Sequence, residues 1–152
     1  MGTIIRLKCK KCNAADLMGL SIGMMYSPDN VFVRNDGQML RNLVGDDRIA
    51  DEAMRVLDIA HIGVRDYGWD VYFCPECKCA VRKFHFQASE KDKEGNITVK
   101  YEPEYTCSIC GSVLLHIPSG WGEDLRELGQ KLKQHGWRCS KCDSDDICRT
   151  AQ

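Results

Sequence analysis

The sequence predicts a small α+β fold, and three observations predict it. Residues 46–61 repeat apolar side chains at helical spacing. Ile97 to Tyr101 alternates with the period of a strand. Ten cysteines, eight of them in four Cys-x-x-Cys pairs, punctuate the chain next to short apolar runs. The bulk numbers allow such a fold. The chain has 152 residues, 43% of them hydrophobic and 28% charged, which permits a core and argues against a disordered tail. Aromatic residues make up 8%, so that core is modest.

Taken in order, residues 3–9 read as a strand led by β-branched Thr3, Ile4 and Ile5. Residues 16–26 are apolar and rich in Gly and Met; Gly19 and Gly23 weigh against a helix, so strand or irregular structure is expected. Ser27-Pro28-Asp29-Asn30 is a turn, Val31-Phe32-Val33 a short strand, and Asn35-Asp36-Gly37 its close. The best helix is 46–61, capped by Asp46 or Asp47, with Ile49, Ala53, Val56, Leu57 and Ala60 on one stripe. Residues 70–74 return to a strand. Residues 80–106 read as one hairpin, with Val81, Phe84 and Phe86 on one arm, a polar turn over 90–96, and 97–101 as the other arm. A weaker second helix covers 122–135 through Leu125, Leu128 and Leu132, and Gly136 ends it. The last eight or so residues are expected to be loose. These elements divide into three expected parts: 1–68, 69–118 and 119–152.

The cysteines carry the chemistry. Ten cysteines placed at random in this length would give roughly 0.6 Cys-x-x-Cys pairs, so four are not accidental. The pairs are Cys9/Cys12, Cys74/Cys77, Cys107/Cys110 and Cys139/Cys142. Two residues between thiolates let the chain turn around one ion with backbone N–H groups aimed at the sulfurs. Two such turns supply a tetrahedron, the closed geometry preferred by Zn²⁺. The expected cofactor is therefore zinc, two ions per chain, with iron as a possible substitute on the same thiolates. The N-terminus has no apolar segment of signal-peptide length, Arg6 breaks the myristoylation pattern, and no stretch is long enough to span a membrane. The expected compartment is the reducing cytoplasm, where paired cysteines are metal ligands or redox groups rather than disulfides.

The order strand, Cys74-Pro-Glu-Cys77, hairpin, Cys107-Ser-Ile-Cys110-Gly111 resembles the zinc-ribbon superfamily over roughly residues 70–117. That resemblance implies a fold of two zinc ribbons with an amphipathic helix and a second short helix. It implies one site from Cys74, Cys77, Cys107 and Cys110. Arg6-Leu-Lys-Cys9-Lys-Lys-Cys12 and Trp137-Arg-Cys139-Ser-Lys-Cys142 look like the halves of a second ribbon, which gives a second site from Cys9, Cys12, Cys139 and Cys142. Sequential pairing, first knuckle with second and third with fourth, stays open, because its gaps can also be closed. The chain as a whole resembles uncharacterised bacterial zinc-ribbon proteins in which an N-terminal knuckle precedes a Gly/Met-rich stretch such as Gly19–Met25; no activity comes with that likeness. The knuckles are also similar to those of rubredoxin, in reversed order and with Lys78 where Gly is usual.

Three functions follow as expectations. Net charge is −1 and the pI about 6.4, which argues against a general nucleic-acid coat and leaves room for a local basic patch. Lys8, Lys10, Lys11, Arg138 and Lys141 crowd the first and fourth knuckles. They suit either phosphate binding or charge balance around a centre of net −2. The leading expectation is a non-enzymatic zinc module that binds nucleic acid or a nucleic-acid-handling protein, an analogy from fold. The alternative is a protein–protein adaptor docking through Gly19–Met25. A thiol redox protein or sensor ranks third, because the thioredoxin pattern needs one such motif in a βαβ setting. Cys79 and Cys148 remain as spare thiols, the four histidines are not needed as ligands, and no catalytic motif was found.

Overall fold

The computed structural model describes residues 3–20, 26–57, 67–118, 127–139, 141–142 and 147–151. The fold is α+β. Strands β1 (Thr3–Cys9), β2 (Ala15–Leu20) and β8 (Ile147–Ala151) form a three-stranded sheet ordered β2-β1-β8. Strands β3 (Tyr67–Cys74), β4 (Cys79–Phe86) and β7 (Leu115–Ile117) form a second, ordered β4-β3-β7. Strands β5 (Ala88–Lys91) and β6 (Ile97–Tyr101) form a two-stranded hairpin. The described helices are α1 (Gln38–Val44), α2 (Asp47–Leu57) and α3 (Leu128–Gln134).

The chain clusters into two compact units, each discontinuous in sequence. One comprises Gly2–Leu20, Asp70–Lys83 and Tyr105–Gln152, and it contains all four knuckles. Its core follows from strand alternation. Ile5, Leu7 and Cys9 point to one face of β1 and are buried, and Ile4 on the other face is half exposed. Ile5 lies opposite Met18 across the antiparallel β1–β2 ladder, and Thr3 opposite Leu20. Val71, Phe73, Ile117, Leu128, Leu132 and Trp137 complete this core, and the cysteine ligand candidates Cys9 and Cys139 belong to it. The other unit comprises Met1, Ser21–Trp69 and Phe84–Glu104. An aromatic cluster fills it: Phe32 meets the Tyr67 ring edge-on at 5.2 Å and the Phe86 ring at 5.8 Å, and Phe86 stacks on Tyr101 at 5.7 Å. Ile49, Ala50 and Ala53 of α2 are buried, and the Tyr101 hydroxyl donates to the Ile49 carbonyl.

Several expectations hold. Strand 3–9 is β1 to the residue, 16–26 supplies β2 as far as it is described, and 70–74 forms the end of β3. The best helix is α2, and Asp46 is its cap: its carboxylate accepts from the N–H groups of Arg48 at 2.9 Å and Ile49 at 3.3 Å. Residues 58–61 of that expected helix lie outside the described residues, as do 122–126 of the second helix and all of 21–25. Asp46→Ala should cost about 1 kcal/mol, read as a shift in denaturant midpoint without a change in slope, whereas Asp47→Ala should cost less.

Other expectations are corrected. Val31-Phe32-Val33 is not a strand; Asp29–Val33 is a single π-helical turn. Pro28 starts it in helical conformation, Val31 N–H returns to the Ser27 carbonyl at 3.0 Å, and the buried pair is the adjacent Val31 and Phe32, with Val33 exposed. A strand would have buried alternate residues. The following Asn35, Asp36 and Gly37 are all left-handed, with φ of 53°, 55° and 74°. Asn and Asp tolerate that region, and Gly37 also lies where a Cβ would come within 2.8 Å of the Met54 sulfur. Helix α1 had no counterpart in the sequence reading. Seven residues, ended by the Gly45 N–H bonding the Arg41 carbonyl, are too few to display a period. The 80–106 hairpin is also repartitioned. Its arm 97–101 pairs with Ala88–Lys91, whereas the segment around Phe84 and Phe86 belongs to β4 and pairs with β3. The Asp92 carboxylate accepts the N–H groups of Glu94 and Asn96, which closes the turn tightly enough to bring 88–91, not 81–86, opposite 97–101. The expected loose end is β8, whose backbone pairs with β1 from Cys9↔Ile147 to Ile5↔Ala151. No helix among the described residues is long and apolar enough to cross a membrane.

Candidate metal centres

Three of the knuckles share one backbone construction. The carbonyl of the first cysteine accepts a hydrogen bond from the residue four positions on: Asn13 N–H to Cys9 O at 2.9 Å, Lys78 N–H to Cys74 O at 2.8 Å, and Gly111 N–H to Cys107 O at 2.9 Å. That residue is left-handed in each case, with φ of 63°, 61° and 76°. The reversal folds the second cysteine back over the first and turns N–H groups toward sulfur. Cys77 N–H reaches Cys74 Sγ at 3.3 Å, and in the fourth knuckle Lys141 N–H reaches Cys139 Sγ at 3.4 Å. Asn and Gly take this conformation readily. Lys78 is strained there, so the knuckle itself must hold it. The sequence reading did not single out Asn13; its signal was an Asn directly after a Cys-x-x-Cys pair.

The nested arrangement is the one observed. Cys9, Cys12, Cys139 and Cys142 form one group, and Cys74, Cys77, Cys107 and Cys110 form the other; within each group the four sulfurs lie within 4.8 Å of one another. We call these the outer and inner groups, after their order in the sequence. In the outer group Cys9 and Cys142 are 3.5 Å apart, as are Cys12 and Cys139. In the inner group Cys74–Cys110 is 3.5 Å and Cys77–Cys107 is 3.9 Å. A tetrahedral ion with metal–sulfur distances of about 2.3 Å requires sulfurs about 3.8 Å apart, so each group can hold a metal ion. Each knuckle buries its first cysteine: Cys9, Cys74, Cys107 and Cys139 are buried, and their partners Cys12, Cys77, Cys110 and Cys142 lie toward solvent.

The local electrostatics suit a cation. The Cys12 N–H, with help from Lys11, lowers the Cys9 thiol to about 6. The Ser112 hydroxyl and N–H bring Cys110 to about 6. N–H groups of Cys110 and Ile109 lower Cys107, and those of Lys141 and Cys142 lower Cys139. Cys77 moves the other way, pushed up by its contact with Cys110 and by burial. Four crowded sulfurs behave in this way: some ionise readily, and another keeps its proton until a cation neutralises its neighbours. No protein family, curated protein or solved structure matches the chain. The two groups of paired cysteines are zinc-ribbon-like in motif.

Charge is divided between the two units. The unit holding the knuckles has thirteen lysines and arginines against nine aspartates and glutamates, a formal +4. The other unit has eight against thirteen, a formal −5, and together they make the chain's −1. A divalent ion on four thiolates carries −2, so two such centres offset the +4. Lys10, Lys11, Arg138 and Lys141 are exposed and Lys8 is half-buried, all within three residues of an outer-group cysteine. Other expected features contribute less. Cys79 is half-buried and burial pushes its thiol up, in keeping with a packing role. His116 Nε2 is 2.7 Å from Asp70 Oδ2, and the His135 ring packs 6.0 Å from that of Phe73. Among the described residues, no histidine joins either group of sulfurs. Phe32 is buried in the aromatic cluster and offers no ring to solvent. Residues 21–25 of the Gly/Met-rich stretch and the side chain of Cys148 lie outside the described residues.

Proposed function

We propose that the chain is a structural zinc protein of zinc-ribbon type whose outer centre offers a basic face to nucleic acid. One observation carries this reading: Cys9/Cys12 and Cys139/Cys142 converge, so two basic segments distant in sequence meet around a single four-sulfur group. Zinc suits closed tetrathiolate sites because it imposes no geometry of its own and does no redox chemistry. Iron can occupy the same thiolates and is distinguished by colour and metal analysis. Elemental analysis with thiol counting should give two zinc ions per chain and two free thiols, Cys79 and Cys148.

The charge balance noted above and phosphate binding coexist. The anionic centre sits behind largely buried first cysteines, and Lys10, Lys11, Arg138 and Lys141 extend to solvent. Binding to single-stranded nucleic acid should weaken with salt, with a log–log slope of about −3.5 if all five cations contact phosphates. Replacing Lys10, Lys11 and Lys141 together by Glu should abolish the gel shift and leave zinc content at two. A wild-type protein that shifts no nucleic acid even at low salt removes this reading. One observation favours a protein partner as a second reading: Ile109, Val113 and Leu115, clustered in sequence around the third knuckle, are 81%, 48% and 42% exposed. Partners that survive nuclease and high salt in a pull-down, and are lost in Ile109→Asp, would support it.

A further inference from the structure

The two centres are joined by a backbone contact that belongs to neither ligand set. The Lys78 carbonyl, in the reversal that closes the second knuckle, accepts from the N–H of Arg138 at 2.8 Å. Arg138 immediately precedes Cys139, a sulfur of the outer group. Two further contacts lie beside this bond. Gly136 sits against the Lys78 side chain, where an added Cβ would lie 3.7 Å from its Cδ and Nζ. The ring of His135 packs on that of Phe73, the neighbour of Cys74. The segment leading into Cys139 therefore rests on the knuckle that carries Cys74 and Cys77.

We propose that the inner centre templates the outer one through this Lys78–Arg138 contact, so that the two bind metal as a coupled pair. The inference rests on the zinc reading above. Lys78 holds a left-handed conformation unfavourable to a lysine, and it does so because its N–H is tied to the Cys74 carbonyl in a closed knuckle. An ion on the inner sulfurs fixes that closure and aims the Lys78 carbonyl at the Arg138 N–H. The outer centre has the greater need of such help. Cys12 and Cys139 are 127 positions apart and Cys77 and Cys107 only 30, a difference that disfavours outer closure about ninefold through loop entropy alone. Coupling between binding sites is reciprocal, so an ion in the outer centre tightens the inner one by the same factor.

Thiol alkylation read by mass spectrometry reports each cysteine separately. The full-length protein is titrated with Zn²⁺ in a chelator buffer, and the free zinc that half-protects each knuckle is recorded. In Cys107→Ser/Cys110→Ser, the midpoint for Cys9, Cys12, Cys139 and Cys142 should rise at least twofold; an unchanged midpoint overturns the proposal. That variant loses two thiols as well as an ion, so a second comparison uses Arg138→Pro, which lacks the N–H, against Arg138→Ala, which keeps it. Read at Cys74, Cys77, Cys107 and Cys110, distant from the substitution in sequence, the Pro variant should need about two to ten times more zinc, the worth of one hydrogen bond. Equal midpoints for the two variants overturn the coupling. A wild-type chain with no cysteine protected at any zinc concentration overturns the zinc reading and this inference together, and that outcome is visible before any variant is made.

Discussion

A strong chelator, added to the reduced and zinc-loaded protein, should abolish the cooperative unfolding of the unit that carries the four knuckles. Structural zinc sites contribute on the order of 10 kcal/mol each to folding, as much as the whole stability of a typical domain. The core of this unit is small, and it includes Cys9 and Cys139 alongside Ile5, Leu7, Phe73, Leu128 and Leu132. Removing the ions leaves two groups of four crowded sulfurs with nothing to hold them together. Amide hydrogen exchange gives the sharpest readout. Ile5, Leu7 and Phe73, buried on paired strands, should exchange slowly in the loaded protein and lose most of that protection without metal. Retained protection at these amides in the stripped protein would mean that the apolar core alone holds the fold.

Phe84→Ala should have the next largest effect, in the other unit. Phe84 is fully buried, with the Trp69 ring edge-on at 5.8 Å, Phe86 at 5.9 Å and Tyr67 at 6.2 Å. Its removal opens a cavity among rings that cannot collapse into it, at a cost of about 3–5 kcal/mol. Against a total of about 5–15 kcal/mol, that moves the denaturant midpoint of the zinc-loaded protein strongly. Tyr101→Phe is the useful contrast. It keeps the ring stacked on Phe86 and loses only a long hydrogen bond to the Ile49 carbonyl, so it should cost about 1 kcal/mol or less. A Phe84→Ala cost no larger than that of Tyr101→Phe would contradict the packing described.

What could be read from the sequence was what local chemistry decides. The knuckles are visible because two thiols and a reversal fit within five residues. β1 is visible because Thr3, Ile4 and Ile5 run into the first of them. α2 shows an apolar stripe, buried at Ile49 and Ala53 and half-buried at Val56 and Leu57, with an acidic cap, so its start was found to within a residue. Choices among distant partners were harder. The gaps permitted both nested and sequential pairing of the knuckles, and only packing of β1 and the Trp137 segment into one core selects the nested one. The 97–101 strand had two candidate partners separated by a single residue, Gln87, and the Asp92 turn chose between them. Three successive apolar residues at Val31–Val33 fit a strand or a helical turn equally well, and the turn read at Ser27–Asn30 carries on through them instead of giving way to a strand. β8 was invisible because Ile-Cys-Arg-Thr-Ala has no alternation; its pairing with β1 is carried by backbone groups, which no side-chain pattern reveals.

The nesting of the knuckles has a consequence for synthesis. A ribosome delivers Cys9 and Cys12 first and their partners Cys139 and Cys142 last, with the whole inner group made in between. At about 5–20 residues per second, the first two thiols wait on the order of ten seconds for the other half of their site. During that interval they form an open two-sulfur site that can take up soft metals or be oxidised. The inner group, complete once Cys110 has emerged, is ready well before. A chain that stops short of Cys139 can therefore fill only one of its two sites. Its expected metal content, one ion instead of two, would distinguish it from a finished chain.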